Sequence, residues 1–484
     1  MSDQSDQQGT GRRADRAGAT APGRRGIVQR HKVDVLVVLG IVLPSVVAAA
    51  FAVIDGDESQ TWPAAPPSAA PLSDASVVCA AAASSTAGDV VLSRVPKVKG
   101  GRVAVDVAEG DGAVLAERRP VDVRPGELTS VATDGDVVAT GQDDAAPGLV
   151  AGRTGAARAA AECRAPTFDE WYVGIGAAAK QSSVIELVNP DDGPAVVEIA
   201  IYGRPGLVEE DDLHGIRVPG HQVMRIDLSR VAPRRGTLAA HLTVVRGRVA
   251  TTVRHTYDPL GRSAPRVDFL PAQARPATEN LLLGVPADAA GHVSLFNPGE
   301  DEVRATVRVV SDRAVFTPAG LDDVRIPGGT VRQVPLSQVL TREAAGGALG
   351  LEVVSAQPLV ASVRVLGEDL GLIAPSTEVG EGQPTTVVVP AGPKSLVLAG
   401  AIRAGVVEVT ATDARGRVLL DGKRTEIGAD RGHSLKIPDA AVLVTVEARN
   451  TPIVGSVVLT GDRVAVLRLR PAETTAQIPV VRPE

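Results

Sequence analysis

Ser183-Val-Ile-Glu-Leu-Val-Asn-Pro-Asp-Asp192 decides how the chain is read, because a close copy returns as His292-Val-Ser-Leu-Phe-Asn-Pro-Gly-Glu300. Apolar residues alternate along both stretches, as on a strand with one face against a core. The Asn then bonds its own backbone to open a turn, and proline stops the ladder. The same interval of 108 residues separates Asn189 from Asn297, Pro219 from Pro327, Leu228 from Leu336 and Val231 from Val339. Four landmarks in one register indicate a duplicated fold, and they place module two at 167–273 and module three at 276–377.

Val-rich runs broken by Gly and Pro continue on both sides of this pair. A further module at 387–484 repeats the strand order after a linker at 378–386, but it lacks the Asn-Pro turn, and residues 410–416 take its place. Upstream, 75–166 holds short apolar runs separated by Lys99-Gly100-Gly101, Gly110-Asp111-Gly112 and Asp134-Gly135-Asp136. Strands at this spacing imply antiparallel sandwiches. Little helix is expected outside short turns at 228–231 and 336–342. At 484 residues the chain has room for roughly three or four domains of ~100–150 residues.

Cys79 and Cys163, the only cysteines, bracket module one. A bridge between them would tie the module's ends and contribute about 4–5 kcal/mol in the chain-entropy picture. A redox pair would require closer spacing and a lowered thiol pKa. A structural disulfide also implies a compartment outside the cytoplasm.

Residues 35–54 are apolar and uncharged, and at 1.5 Å per residue they span ~30 Å, enough to cross a bilayer with Pro44 as a kink. Seven basic and four acidic residues precede them in 1–34, a net of +3, so the remainder carries −10 of the overall −7. The positive-inside rule then puts 1–34, a disordered basic tail, in the cytoplasm and the bulk outside. The rival reading is a cleavable export signal with Ala48-Ala49-Ala50 as its processing site. Residues 55–74, with Trp62-Pro63 and Pro66-Pro67, read as an extended Pro-rich linker. The fold class that follows is mainly β: tandem immunoglobulin-like antiparallel β-sandwich modules after one N-terminal transmembrane helix.

The block Cys163-Arg-Ala-Pro-Thr-Phe-Asp-Glu-Trp-Tyr-Val-Gly174, followed by Leu187-Val-Asn-Pro-Asp-Asp192 and Ile201-Tyr-Gly203, resembles the uncharacterised actinobacterial family of DUF5719 proteins. With the anchor and the cysteine pair, the resemblance covers most of the chain. It implies an envelope protein of unknown function, often encoded beside glycosyltransferases of envelope assembly, and it supplies no catalytic residues.

Chemistry-bearing motifs are sparse. The seven histidines form no HExxH; His241 and His255 on neighbouring strands, or His214 and His221 flanking one turn, are the nearest approach to a ligand pair. No nucleophile elbow or phosphate-cradling Gly-rich loop is present. Carboxylates at 191–192, 209–212, 300–302 and 322–323 read as solvated turns, without a calcium loop. An acidic body disfavours nucleic acid as a partner, and aromatics at 2% leave few sugar platforms. Trp171-Tyr172 reads as a core anchor between modules one and two or as a ligand contact, and Arg234-Arg235 as an exposed turn able to meet an anionic wall polymer.

The expectation is therefore a non-enzymatic, membrane-anchored extracytoplasmic scaffold or interaction protein of the cell envelope, without cofactor or metal. Its partners would be the membrane, through the one N-terminal helix, and an envelope glycosyltransferase or a wall polymer. The alternatives are a cell-wall polymer or carbohydrate-binding protein and an enzyme with a site assembled between modules.

Overall fold

Ala195–Gly203 and Gly405–Asp413 alternate fully buried and half-buried residues without a break, as strands with one face on a core must. The computed structural model describes residues 42–44, 46–47, 68–84, 88–109, 112–155, 159–261, 263–341, 346–461 and 464–478. Every strand pairing between its named strands is antiparallel. Helix in this β-rich body is confined to turns such as Leu228–Val231, capped by Asp227 accepting from the Ser229 N–H, and Leu336–Val339.

Modules two, three and four share one arrangement. In module two, Arg235–Arg246 lies between Asp169–Ala178 and Ala195–Gly203, while Gln181–Asn189 lies between Gln222–Asp227 and Ala250–Tyr257. Module four repeats this with Ala441–Arg449 between Thr385–Val388 and Gly405–Asp413, and with Lys394–Ala399 between His433–Ile437 and Ile453–Leu459. In module three the two corresponding strands fuse into Ala348–Leu366, whose first half pairs with Ala277–Leu283 and Val303–Ser311 and whose second half pairs with Ala290–Phe296. Module one is built from a four-stranded and a three-stranded sheet.

The Asn-Pro turn is a side-chain clasp. The Asn189 amide donates to the carbonyls of Gly193 (2.8 Å) and Val218 (3.1 Å), and its Oδ1 accepts from the Asp191 N–H at 3.0 Å. The Asn297 amide donates to Asp301 (2.7 Å) and Ile326 (3.0 Å), and its Oδ1 accepts from Gly299 at 2.9 Å. All three partners are displaced by the same 108 residues. Both side chains are buried, and only an amide of this length supplies donor and acceptor together. Backbone crowds the clasp: a Cβ on Gly220 would lie 2.0 Å from the Asp192 oxygen, and one on Gly328 would lie 1.9 Å from that of Glu300.

Module four performs the same task from the opposite loop. Its corresponding connection is 400–404, where the Ile402 N–H donates to Oγ1 of the fully buried Thr451 at 3.2 Å. Residues 410–416, expected to replace the Asn-Pro turn, belong instead to the next hairpin. There Asp413 accepts from the N–H groups of Arg415 and Arg417 at 2.9 Å each.

Residues 68–478 form one compact unit, and the modules within it share cores. Val397, Ala399, Val458 and Val466 of module four belong to the core of module three; Leu370 and Leu372 of module three belong to that of module two. Val188, Val223 and Ala250 pack on Val78, Leu115 and Val138 of module one. Modules one and four also meet: Val91 packs on Val388 and Leu443, and a Cβ on Gly152 would lie 2.7 Å from Val388. Ser68–Pro71 pairs with Thr475–Ile478, so the unit closes on itself.

Strand reaches into both expected linkers. The end of the expected linker 55–74 is strand, because Ser68–Pro71 has the chain's far end as its partner. The linker 378–386 contributes Glu378–Val379 to the second sheet of module four, and Thr385–Val388 begins inside it. The expected tail 1–34 and linker residues 55–67 lie outside the described residues, as does most of 35–54, of which 42–44 and 46–47 are helical. No helix among the described residues is long and apolar enough to cross a membrane.

Asn189→Ala and Asn297→Ala each strand buried carbonyls, at about 1–3 kcal/mol per group. Urea unfolding is expected to show each variant destabilised by roughly 2–4 kcal/mol. Asn→Asp should be no better at either position, since a carboxylate cannot donate.

Candidate functional site

Val464-Ala-Val-Leu-Arg-Leu-Arg470 alternates in its last four residues, so Leu467 and Leu469 enter the core of module four while Arg468 and Arg470 face the other way. That other side is also covered. Arg468 is 4% exposed; its Nε and Nη2 donate to the two oxygens of Glu162 at 2.8 and 2.7 Å. Its Nη1 donates to the carbonyls of Ala272 and Pro375, both at 2.8 Å. Burial alone would raise the Glu162 carboxyl, but the charge and hydrogen bonds of Arg468, with Arg470 adding, hold it at about 2.

A second buried pair lies beside the first. Arg164 donates to Glu170 and to the Thr251 carbonyl, each at 2.5 Å, and the Tyr172 hydroxyl donates to the same Glu170 oxygen at 2.8 Å. Burial holds the tyrosine far above its ordinary range and so neutral. Burial opposes the charge on Arg164 as well, yet Glu170 outweighs it and the guanidinium is raised.

Glu162, Arg164, Arg468 and Arg470 of these two groups border a cavity of about 380 Å³ where module one meets module four. Its polar lining includes Arg164, Arg248, Arg468, Arg470, Glu162, Asp74 and Glu473, and Val77, Leu149, Val388 and Leu467 supply apolar wall. Phe168, 62% exposed, stands in the same lining. The volume falls within the roughly 300–1,000 Å³ of small-molecule sites.

The residues singled out in the sequence are scattered. Cys79 and Cys163 form a disulfide, adjoining the Val78–Arg164 bridge that lays Arg164 along the first strand of module one. Tyr172 belongs to the Arg164 cluster, whereas Trp171 points to module three, stacked 3.6 Å from His241 and 5.9 Å from Phe296. Arg234 and Arg235 are exposed in the turn before Arg235–Arg246, where Arg235 pairs with Ala177 and His241 with Trp171. They do not join the tryptophan.

His241 and His255, the nearest approach to a ligand pair in the sequence, are not brought together. His241 lies on a strand between Asp169–Ala178 and Ala195–Gly203 and pairs with Asp169 at 2.8 Å, while His255 lies in the other layer. His221 contacts Asp192 at 2.7 Å and His214 contacts Glu198 at 3.0 Å. Among the described residues, no cluster of three metal-ligating side chains occurs.

Ser183, His255 and Asp268 stand in register on three adjacent strands, with Ser183 Oγ 2.8 Å from His255 Nδ1. The arrangement has the residue types of a hydrolase, but each member is at most 1% exposed, so no carbonyl can reach the serine. Burial, with Arg364 adding, pulls His255 down to about 3, and burial raises Asp268 well above the carboxylate range. The row is a neutral, buried part of the sheet.

The sequence reading missed the Glu162–Arg468–Arg470 group. Its available signal was the Leu-Arg-Leu-Arg470 alternation, which marks a strand whose polar face is buried only if another module covers it.

Residues 136–438 match a family described as a family of unknown function (DUF5719), and the chain belongs to that family. No curated protein and no solved structure matches it.

A depressed carboxyl stabilises the fold above its ordinary value and loses that contribution as pH falls toward its folded value. For Glu162, held at about 2 against an ordinary 4.5, the contribution is about 3 kcal/mol, lost between roughly pH 4.5 and 2. Glu162→Gln leaves Arg468 buried without its counter-ion and is expected to cost roughly 3–5 kcal/mol at pH 7. Urea titrations should show that difference shrinking steadily below pH 4.5.

Proposed function

We propose that this family member is a non-enzymatic scaffold or interaction protein of the cell envelope, held to the membrane by residues 35–54 with its bulk outside the cytoplasm. The observation that carries this reading is the closure of 68–478, whose first strand pairs with its last. A body closed in this way, with cores shared from module to module, is suited to present a fixed surface. It is poorly suited to act as an extensible spacer.

The two-layer antiparallel arrangement repeated in modules two to four supports reading them as immunoglobulin-like sandwiches. The uncharged 35–54 segment, preceded by basic residues and followed by Asp55, Asp57 and Glu58, supports the anchor and its orientation. The disulfide supports an oxidising compartment. A membrane glycosyltransferase of envelope assembly is the partner we assign to it. Carbohydrate binding through aromatic platforms is less well supported, since the imidazole of His241 lies flat on Trp171 with Phe296 beside it.

Two measurements test this reading. In intact spheroplasts, a membrane-impermeant maleimide is expected to label Val418→Cys, at a position 56% exposed, and to label Ser5→Cys only after lysis; the reverse pattern would contradict the topology. Crosslinking of the anchored chain in membranes should recover an envelope glycosyltransferase. Recovery of none, alongside retention on purified wall glycan, would contradict the scaffold reading.

A further inference from the structure

The cluster between modules one and four, buried except at Arg470, contains more positive charge than it neutralises. Arg164 is matched by Glu170 at 2.5 Å, and Arg468 takes both oxygens of Glu162. Among the described residues, Arg470 has a single approach, of 3.6 Å, to a Glu162 oxygen that Arg468 already holds. Among the described residues of this cluster, three guanidinium groups therefore face two carboxylates, and Tyr172 adds no charge because burial keeps it protonated. Burial lowers the pKa of Arg470, Glu162 opposes this, and repulsion from Arg468 and Arg164 works in the same direction as burial. Such a cation is short of a counter-ion.

Geometry places this surplus where a ligand can reach it. The Arg470 side chain is 37% exposed and lines the 380 Å³ cavity. Arg248 lies across the lining but is already engaged by Asp191 at 2.9 Å and Asp74 at 3.2 Å. The carboxylates of Asp74 and Glu473 also line the cavity, and both residues are exposed to solvent, where water screens their repulsion. Beyond the guanidinium groups the lining turns apolar, with Val77, Leu149, Val388 and Phe168.

We infer that this cavity binds a phosphate-bearing ligand with an apolar body, its anionic group on Arg470 and its body against the valine, leucine and phenylalanine wall. Guanidinium forks match phosphate oxygens, and the partly dry surroundings strengthen that contact relative to open water. The apolar wall distinguishes such a ligand from a free inorganic ion. The site is independent of the scaffold reading, since a platform needs no ligand and a ligand site needs no partner.

The experiment is calorimetric titration of the full chain in phosphatidylcholine nanodiscs with phenyl phosphate, inorganic phosphate and phenol. Phenyl phosphate is expected to bind saturably at one site, inorganic phosphate at least tenfold more weakly, and phenol without measurable heat. Arg470→Gln should weaken phenyl phosphate tenfold or more, Arg470→Lys should fall between it and the parent, and Arg204→Gln in an exposed turn should bind like the parent. Absence of saturable heat with phenyl phosphate would overturn the proposal, as would equal affinity for inorganic phosphate. If Arg470→Gln does not fold, Arg470→Lys decides: undiminished affinity in that variant overturns the assignment to the Arg470 fork.

Discussion

Arg468 reaches a carboxylate 306 residues earlier in the chain and two carbonyls that stand where module two passes into three and where three passes into four. A guanidinium removed from water costs several kcal/mol unless every N–H finds a partner. Here the partners come from separate segments, so the charge is compensated only when all of them are in place. The Arg468 site is thus a condition on the whole assembly.

The apolar contacts make the same demand. Leu370 and Leu372 complete the core of module two, and Val458 and Val466 complete that of module three, so a module removed from its neighbour would expose surface built for burial. Sheet pairing between Ser68–Pro71 and Thr475–Ile478 closes the chain of contacts. Bringing such distant segments together must precede the contacts that stabilise them, which favours slow, cooperative folding. The disulfide lies at the same seam and limits how far module one can open, next to the arginine cluster it helps to position.

Local chemistry was legible in the sequence and long-range closure was not. Asn189 and Asn297 announced their turns because each clasp uses partners within about thirty residues, and the shared interval carried over to every one of those partners. The disulfide followed from having two cysteines. The clasp of module four was unreadable, since Thr451 works from another loop and a threonine there carries no turn signal. Arg468 and Arg470 looked like any surface arginines in an arginine-rich chain, and only the opposing module buries Arg468 and half-buries Arg470. Trp171 and Tyr172 are neighbours on a strand and so face opposite ways: one meets module three and the other meets Arg164.

Residues 68–478 form a closed body, and the pairing of Ala70 with Ala476 expresses that closure most directly. Directly opposed antiparallel residues have Cα atoms roughly 4.5–5.5 Å apart, within the range a disulfide spans. In the full chain carrying Ala70→Cys and Ala476→Cys, a second disulfide is expected to form on mild oxidation, detected by peptide mass mapping. Free thiols at both positions that alkylate readily and do not join, in a chain whose Cys79–Cys163 bond is intact, would contradict the closed architecture.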